Sequence, residues 1–296
     1  MRRWLRASAL LLVAGLAVTG CGGPAGSDGD LTDDWPAVAA PAPFEPESGV
    51  CHPALVPVGY LSSYGPVPCD QWHSAETVHV GTLPAEHTDR STPPPVGSPA
   101  RKVAYAECEK AANRALGADW RSGRIRLSVV LPSEYGWRGG ARWFRCDVSE
   151  IYGLNNTAAK PRTASLKGSL TGAAPLAHRC FVGALTHGRV TTMDPVGCTA
   201  RHNAEFVGTY QDTSASHAAM AAGRKQLGER CLALIAAYTK VPDDGDLEYR
   251  TGWLYYHPDE QQWRDGNRGV QCFLWLNERG LTRSVRGGGT RALPVR

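Results

Sequence analysis

Two apolar-rich segments, Arg179–Leu185 and Val190–Val196, flank the turn signal His187-Gly188, a pattern that predicts a β-hairpin. Cys180 and Cys198 are symmetric about residue 189, so the hairpin would bring them face to face. A further strand is expected at Ala204–Tyr210. After it, Ser214 or Ser216 can cap a helix whose Met220, Leu227, Cys231, Leu234 and Tyr238 recur on one face. Arg250–His257 then alternates like a strand, and the segment around Cys272 supplies one more.

The first half of the chain carries the same order. Cys51 and Cys69 are eighteen residues apart, as are Cys180 and Cys198, with Gly59-Tyr60 at the midpoint. Glu76–Val80 is the matching strand. Ala104, Cys108, Ala111 and Ala115 form the helical stripe, with Gly117 as its stop. Arg124–Leu131 and the Cys146 segment complete the set. Four blocks recur in order: Cys69-x3-His73-x2-Glu76 with Cys198-x3-His202-x2-Glu205; the Pro-x-Glu-x2-Trp-Arg-x-Gly blocks at Pro132 and Pro258; Arg142-x3-Cys146 with Arg268-x3-Cys272; and Leu166-x2-Ser169-Leu170-x-Gly172 with Leu281-x2-Ser284-Val285-x-Gly287. The reading is a tandem duplication, with one copy over residues 49–172, the other over 176–289, and Ala173-Ala174-Pro175 between them. The order β-β-α-β-β with short closing strands implies an α+β fold, one main helix packed on an antiparallel sheet in each copy. A Pro-rich insert at Thr92–Pro99 and a polar stretch at Asn155–Thr163 distinguish the first copy.

Beyond Cys21 the chain has an even set of cysteines: Cys51, Cys69, Cys108, Cys146, Cys180, Cys198, Cys231 and Cys272. None lies in a CxxC pair, which argues against zinc ribbons and thioredoxin-like motifs and for a disulfide framework. Three pairings are open in each copy. The hairpin symmetry favours first with second and third with fourth, each bridge contributing roughly 3 kcal/mol.

The N-terminus begins with a basic region (Arg2, Arg3, Arg6) and an apolar run from Ala7 to Val18, too short to span a bilayer as a helix. Val18-Thr19-Gly20-Cys21 resembles the lipobox of bacterial lipoproteins. Residues 1–20 are therefore expected to be a lipoprotein signal peptide, and Cys21 to carry the diacylglycerol that makes the membrane its partner. Residues 21–48, rich in Ala, Pro, Asp and Gly, would be a disordered tether. Losing three arginines with the signal lowers the formal charge from +4 to about +1, which leaves no electrostatic footprint for nucleic acid.

The block Cys198-Thr199-Ala200-Arg201-His202-Asn203-Ala204-Glu205-Phe206-Val207-Gly208 is similar to the signature of the septum formation domain of actinobacteria. Trp263, Gly266, Arg268, Cys272 and the Leu281-Ser284-Gly287 ending extend the resemblance. The first copy diverges, with Thr77-Val78-His79-Val80-Gly81 where the family has its valine-glycine step, but keeps its four cysteines, His73 and Glu76. The resemblance implies an exported protein on the outer surface of the cell membrane, with a role linked to septation or envelope growth. It supplies no catalytic residue and no cofactor.

His73/Glu76 and His202/Glu205 are the candidates for chemistry. A His-x2-Glu pair can hold a metal or serve as acid and base. Each site offers only two ligands, however, and residues three apart on a strand point to opposite faces. A structural role is expected instead, with Glu76 salt-bridged to Arg142 and Glu205 to Arg268. Trp253, Tyr255 and Tyr256 raise a glycan-binding reading, but Leu127, Val129 and Val130 replace them in the first copy, so packing is preferred. GxSxG, SxxK, Walker and Rossmann patterns are absent. The expectation is a non-catalytic envelope protein that binds or scaffolds a protein or wall component. The alternative is a metal-assisted envelope hydrolase built on the His/Glu pairs.

Overall fold

The computed structural model describes residues 42–172 and 174–295. The signal-like segment, Cys21, most of the tether and Ala173 lie outside the described residues. In the first half, β1 (Cys51–His52), β2 (Val58–Gly59) and β3 (Ala75–Thr82) precede α1 (Pro99–Leu116). Ser98 caps α1 by accepting from the Arg101 amide, a proline stands in its first turn, and Gly117 ends it in the left-handed region at φ 87°. Ala104, Cys108, Ala111, Ala112 and Leu116 are its buried face. β4 (Ile125–Pro132), the short helix α2 (Glu134–Arg138), β5 (Trp143–Gly153) and β6 (Asn156–Ala159) follow. The sheet order is β1-β3-β5-β4-β2, with β6 paired to β5.

The second half has β7 (Cys180–Thr186), β8 (Arg189–Val196), β9 (Ala204–Gln211), α3 (His217–Ala222), α4 (Arg224–Thr239), α5 (Leu247–Arg250), β10 (Gly252–Tyr256), α6 (Glu260–Asp265), β11 (Gly269–Trp275) and α7 (Gly289–Ala292). Its sheet runs β10-β11-β9-β7-β8. Strands β1, β3, β5 and β4 therefore neighbour one another as β7, β9, β11 and β10 do. All these pairings are antiparallel; β2 adds a two-residue parallel pair with β4. The fold is mixed α+β, built on two sheets.

Agreement between the halves extends to an irregularity. Opposite β5 the register skips Val78 between Thr77 and His79, and opposite β11 it skips Val207 between Phe206 and Gly208. A bulge at this point sharpens the strand's twist before the helix. Gly208 adopts φ 147° there, which explains the valine-glycine step in the second half.

The disulfides join Cys51 to Cys69, Cys108 to Cys146, Cys180 to Cys198 and Cys231 to Cys272. The second and fourth tie the main helix of each half to an interior strand of its sheet, β5 and β11. The hairpin of the second half forms around His187 (φ 50°) and Gly188 (φ 71°), both left-handed, as a two-residue hairpin turn requires.

Several expectations are corrected. In the first half no hairpin spans Cys51 to Cys69: β1 has two residues, Cys51 bridges Val67 alone, and β2 leaves to pair with β4. Gly59 allows this because its backbone lies against the Trp143 ring, where a Cβ would clash at 2.3 Å. The single helix expected after Ser216 is broken at Gly223 into α3 and α4. Both Trp-Arg blocks coil into short helices, capped by Ser133 and by a full capping box at Asp259. The closing segments are single bridges, His73 to Arg162 and His202 to Leu281, rather than strands.

The two halves pack together within one compact unit that begins at Pro43. Gly123 and Ala177 form a bridge, with Arg124 N donating to Leu176 O and His178 N to Ser122 O. Arg121, 2 % exposed, donates to Asn267 Oδ1 at 2.6 Å and to Tyr105 Oη at 2.8 Å, and pairs with Glu109 at 2.5 Å. Arg101 grips Asp265 Oδ2 through Nε and Nη2 at 2.9 and 2.6 Å, while Gly97 N donates to Oδ1. Thr209 adds a bond to Asp119 at 2.7 Å.

Candidate functional site

The strongest sequence candidates cluster beside the Cys180–Cys198 disulfide. His202 precedes β9, held by backbone bonds in both directions with Leu281, so strand alternation does not yet govern it. Its Nε2 meets Glu205 Oε1 at 3.1 Å, and its Nδ1 faces Ala200 O at 2.9 Å. The expectation that the two side chains diverge is thus wrong for this pair. Glu205 is fully buried. Its Oε1 also accepts from Val285 N at 2.9 Å, and Oε2 accepts from Tyr238 Oη and Ser284 Oγ, each at 2.7 Å. Three donors and the His202 ring thus surround both carboxylate oxygens inside the core.

In the first half Glu76 is met by Ser165 Oγ at 2.8 Å and by Leu166 N at 2.7 Å. This shifts one sequence correspondence. Ser165, Leu166 and Gly168 occupy the places of Ser284, Val285 and Gly287, four residues before the block matched from sequence. Gly168 and Gly287 share φ of 70° and 67°, and their amides donate to Ala115 O and Tyr238 O. Ala115 stands where Tyr238 does, so Glu76 lacks the tyrosine donor. His73 also departs from its counterpart: its Nδ1 faces Gln71 O at 2.7 Å, and its buried Nε2 has no hydrogen bond among the described residues.

Neither expected salt bridge forms. Arg142 lies over the Trp137 ring at 4.0 Å and donates to the Trp137 and Ala141 carbonyls. Arg268 lies over Trp263 at 3.8 Å. The recurrence of Trp and Arg in both copies therefore records a stacked pair, worth about 0.5–2 kcal/mol. Glu76 and Glu205 spend their charge on the closing segment.

Cys180, His202 and Glu205 have ligand atoms within 4.8 Å of one another, as do Cys51, Cys69 and Glu76. All these cysteine sulfurs are bound in disulfides, and metal ligation needs thiolate. Residues of metal-ligand type meet here because the framework crosses here.

The first half also holds a buried polar network with no counterpart in the second. His52 Nε2 meets Thr77 Oγ1 at 2.9 Å, Thr77 Oγ1 donates to Asp147 Oδ1 at 2.8 Å, and Arg145 binds Asp147 Oδ2 through Nε and Nη2 at 3.0 and 2.8 Å. All four residues are buried. Burial and Arg145 lower the His52 pKa to about 4, while burial raises that of Asp147. In the second half the places of His52, Thr77 and Asp147 belong to Phe181, Phe206 and Phe273, which pack edge to face with centroids 5.4 and 5.5 Å apart. The contrast between Arg145-Cys146-Asp147 and Gln271-Cys272-Phe273 was the available signal.

The aromatic strand β10 is half-buried along its whole length. The Trp253 and Tyr255 rings lie 5.6 Å apart at a 30° tilt, and Trp253 also lies against Gly228 of α4. Exposed apolar surface is found elsewhere: Tyr60, Leu61 and Tyr135, with Phe44 and Trp143, line a groove of about 410 Å³.

A family model described as septum formation matches residues 48–272, about three quarters of the chain, in one stretch that runs through both halves. No curated protein and no solved structure matches.

Proposed function

The chain belongs to the septum formation family, and from that premise we propose that it is a non-catalytic, lipid-anchored protein of the cell envelope that binds or scaffolds during septation or envelope growth. The observation that carries this reading is the fate of the repeated polar residues. Glu76 and Glu205 are consumed by backbone and hydroxyl donors inside the fold, and Arg142 and Arg268 by tryptophan rings. What the duplication repeats is a way of closing a domain. Export is supported by four disulfides, which suit an oxidising compartment. The lipobox-like Val18-Thr19-Gly20-Cys21 supports attachment through diacylglycerol. An exposed aromatic groove beside Tyr60 and Tyr135 offers surface for a partner.

The test is a C-terminal fluorescent fusion in dividing cells, with and without Cys21→Ser. The reading expects the intact chain to enrich at the division septum and the variant to be released from the membrane. Uniform cytoplasmic signal, or a Cys21→Ser variant that stays on the membrane as the intact chain does, would contradict it.

A further inference from the structure

Strand β10 is an edge of its sheet, and the first half shows what can occupy such an edge. There β2 lies on the outer side of β4, pairing Val58 with Leu131 and Gly59 with Pro132. Leu131 and Pro132 hold the places of His257 and Pro258, at the end of β10. Gly188 stands eight residues after Cys180, as Gly59 does after Cys51. It stays in the hairpin turn, however, and among the described residues no strand pairs with the outer side of β10. A groove of about 320 Å³ is left there, lined by Gly188, Arg189 and Val190 of the hairpin and by residues 253–257.

The outer side of β10 carries unpaired backbone. Asp212 N donates to Arg268 O, and Leu276 N to Asn203 O, so even-numbered residues of β11 turn toward β9 and odd-numbered ones toward β10. Gly252, Leu254 and Tyr256 stand opposite Trp275, Phe273 and Gln271 and take those bonds. The amides and carbonyls of Trp253 and Tyr255 therefore point away from β11. Sheet edges are normally guarded by charge, proline or a bulge. The opposite edge, β8, has Arg189, Asp194 and Pro195, whereas β10 reads Gly-Trp-Leu-Tyr-Tyr in unbroken register. Charge stands beside the strand instead. Arg189 and Arg224 are exposed, and among the described residues neither is paired with a carboxylate. The Arg224 guanidinium lies over the Trp253 ring at 5.6 Å, and no acidic side chain lines the groove.

We propose that the open edge of β10 accepts an extended acidic segment of a partner protein as an added strand, flanked by Arg189 and Arg224. Main-chain bonds to Trp253 and Tyr255 supply the pairing, as in strand addition to other exposed edges. The two arginines select carboxylates on the incoming strand and disfavour a basic one. The inference rests on the binding role proposed above and names the partner's chemistry. It uses a surface separate from the groove beside Tyr60 and Tyr135, so its failure leaves the septal localisation result untouched.

The test uses the full chain carrying Cys21→Ser, so that no acyl group contributes. The probe is a fluorescein-labelled peptide of alternating valine and aspartate, read by anisotropy and by amide hydrogen exchange. Binding is expected to slow exchange at the Trp253 and Tyr255 amides. A peptide with lysine for aspartate, or one N-methylated at alternate residues, should bind at least tenfold more weakly. Tyr255→Pro removes an outward amide without touching a bond to β11, and should abolish binding, while Tyr255→Val should keep it. Arg189→Gln with Arg224→Gln should weaken it at least tenfold. If Tyr255→Pro does not fold, the N-methylated peptide makes the same test from the other side. The proposal is overturned if the aspartate peptide does not bind, or if the lysine or N-methylated peptide binds as well as it does. Binding that leaves the two amides unprotected would mean a ligand stacked on the aromatic rings, and also overturns it. So does protection that rises with protein concentration without peptide, which would assign the edge to a second copy of the chain.

Discussion

Glu205 accepts a hydrogen bond from the amide of Val285 at 2.9 Å, eighty residues later in the chain. Glu76 accepts one from Leu166 in the first half at 2.7 Å. Each carboxylate sits at the start of an interior strand, directly opposite a disulfide cysteine in the register, and pins the closing segment to that strand. A short irregular segment has few ways to satisfy its buried amides, and a charged acceptor is among the strongest. This explains why a glutamate recurs at a buried position.

The stacked tryptophan-arginine pairs make a prediction about coupling. A double-mutant cycle between Glu76 and Arg142 should give an interaction energy below about 0.5 kcal/mol, because the two groups share no bond. A cycle between Trp137 and Arg142 should give about 0.5–2 kcal/mol. Chemical denaturation of the single and double variants measures both.

The buried network of the first half behaves differently. Asp147→Ala leaves Arg145 without its carboxylate in a site 3 % exposed, and should cost about 3–5 kcal/mol. Replacing Arg145 and Asp147 together by apolar residues should cost clearly less than Asp147→Ala alone. Equal losses would mean that the ion pair is not what the site depends on.

Junction between the halves sets the cooperativity of unfolding. Arg121 serves Glu109, Tyr105 and Asp119 from its own half and Asn267 from the other. The intact chain should unfold in one calorimetric transition. Arg121→Ala should lower the midpoint and split the transition into two, since the bond to Asn267 is lost while each half keeps its disulfides.

Acidity acts through His178. Burial, with Arg124 nearby, lowers its pKa to about 3, against 6.5 for the free side chain. The folded value lies below the unfolded one, so the stability contributed by neutral His178 is complete above about pH 6.5 and is lost as pH falls toward 3. The slope is about 1.4 kcal/mol per pH unit. His178→Phe should be close to neutral at pH 7 and should flatten the stability profile between pH 6 and 4 by about one proton's worth, measured by denaturant unfolding across that range.

Much of the frame was legible in the sequence, for reasons that differ between elements. Cys180 and Cys198 flank a turn at equal distance, so their meeting follows from hairpin geometry. Cys51 and Cys69 meet as well, yet without the hairpin, so there the repeat alone carried the pairing. The helical stripe through Cys108 was readable because α1 packs one face on the sheet. The partner of Glu76 was not. Strand and arginine patterns drew attention to Arg142, whereas the carboxylate is met by a backbone amide and a serine in a turn, and an amide has no signature in composition. The same limit hid the matching of Ser165 with Ser284, which is clear only from the shared bonds of Gly168 and Gly287. Polar residues at His52, Thr77 and Asp147 were passed over because each is ordinary alone, and only the three phenylalanines in the other half show that the site is a core position.

The most direct test of the claim that the repeated glutamates close the fold is the unfolding free energy of Glu205→Ala. The substitution strips acceptors from Val285 N, Tyr238 Oη and Ser284 Oγ and leaves His202 buried without its partner. A loss of about 3 kcal/mol or more is predicted, with the disulfides intact. A variant as stable as the parent would contradict the account, and would return Glu205 to the list of residues kept for chemistry.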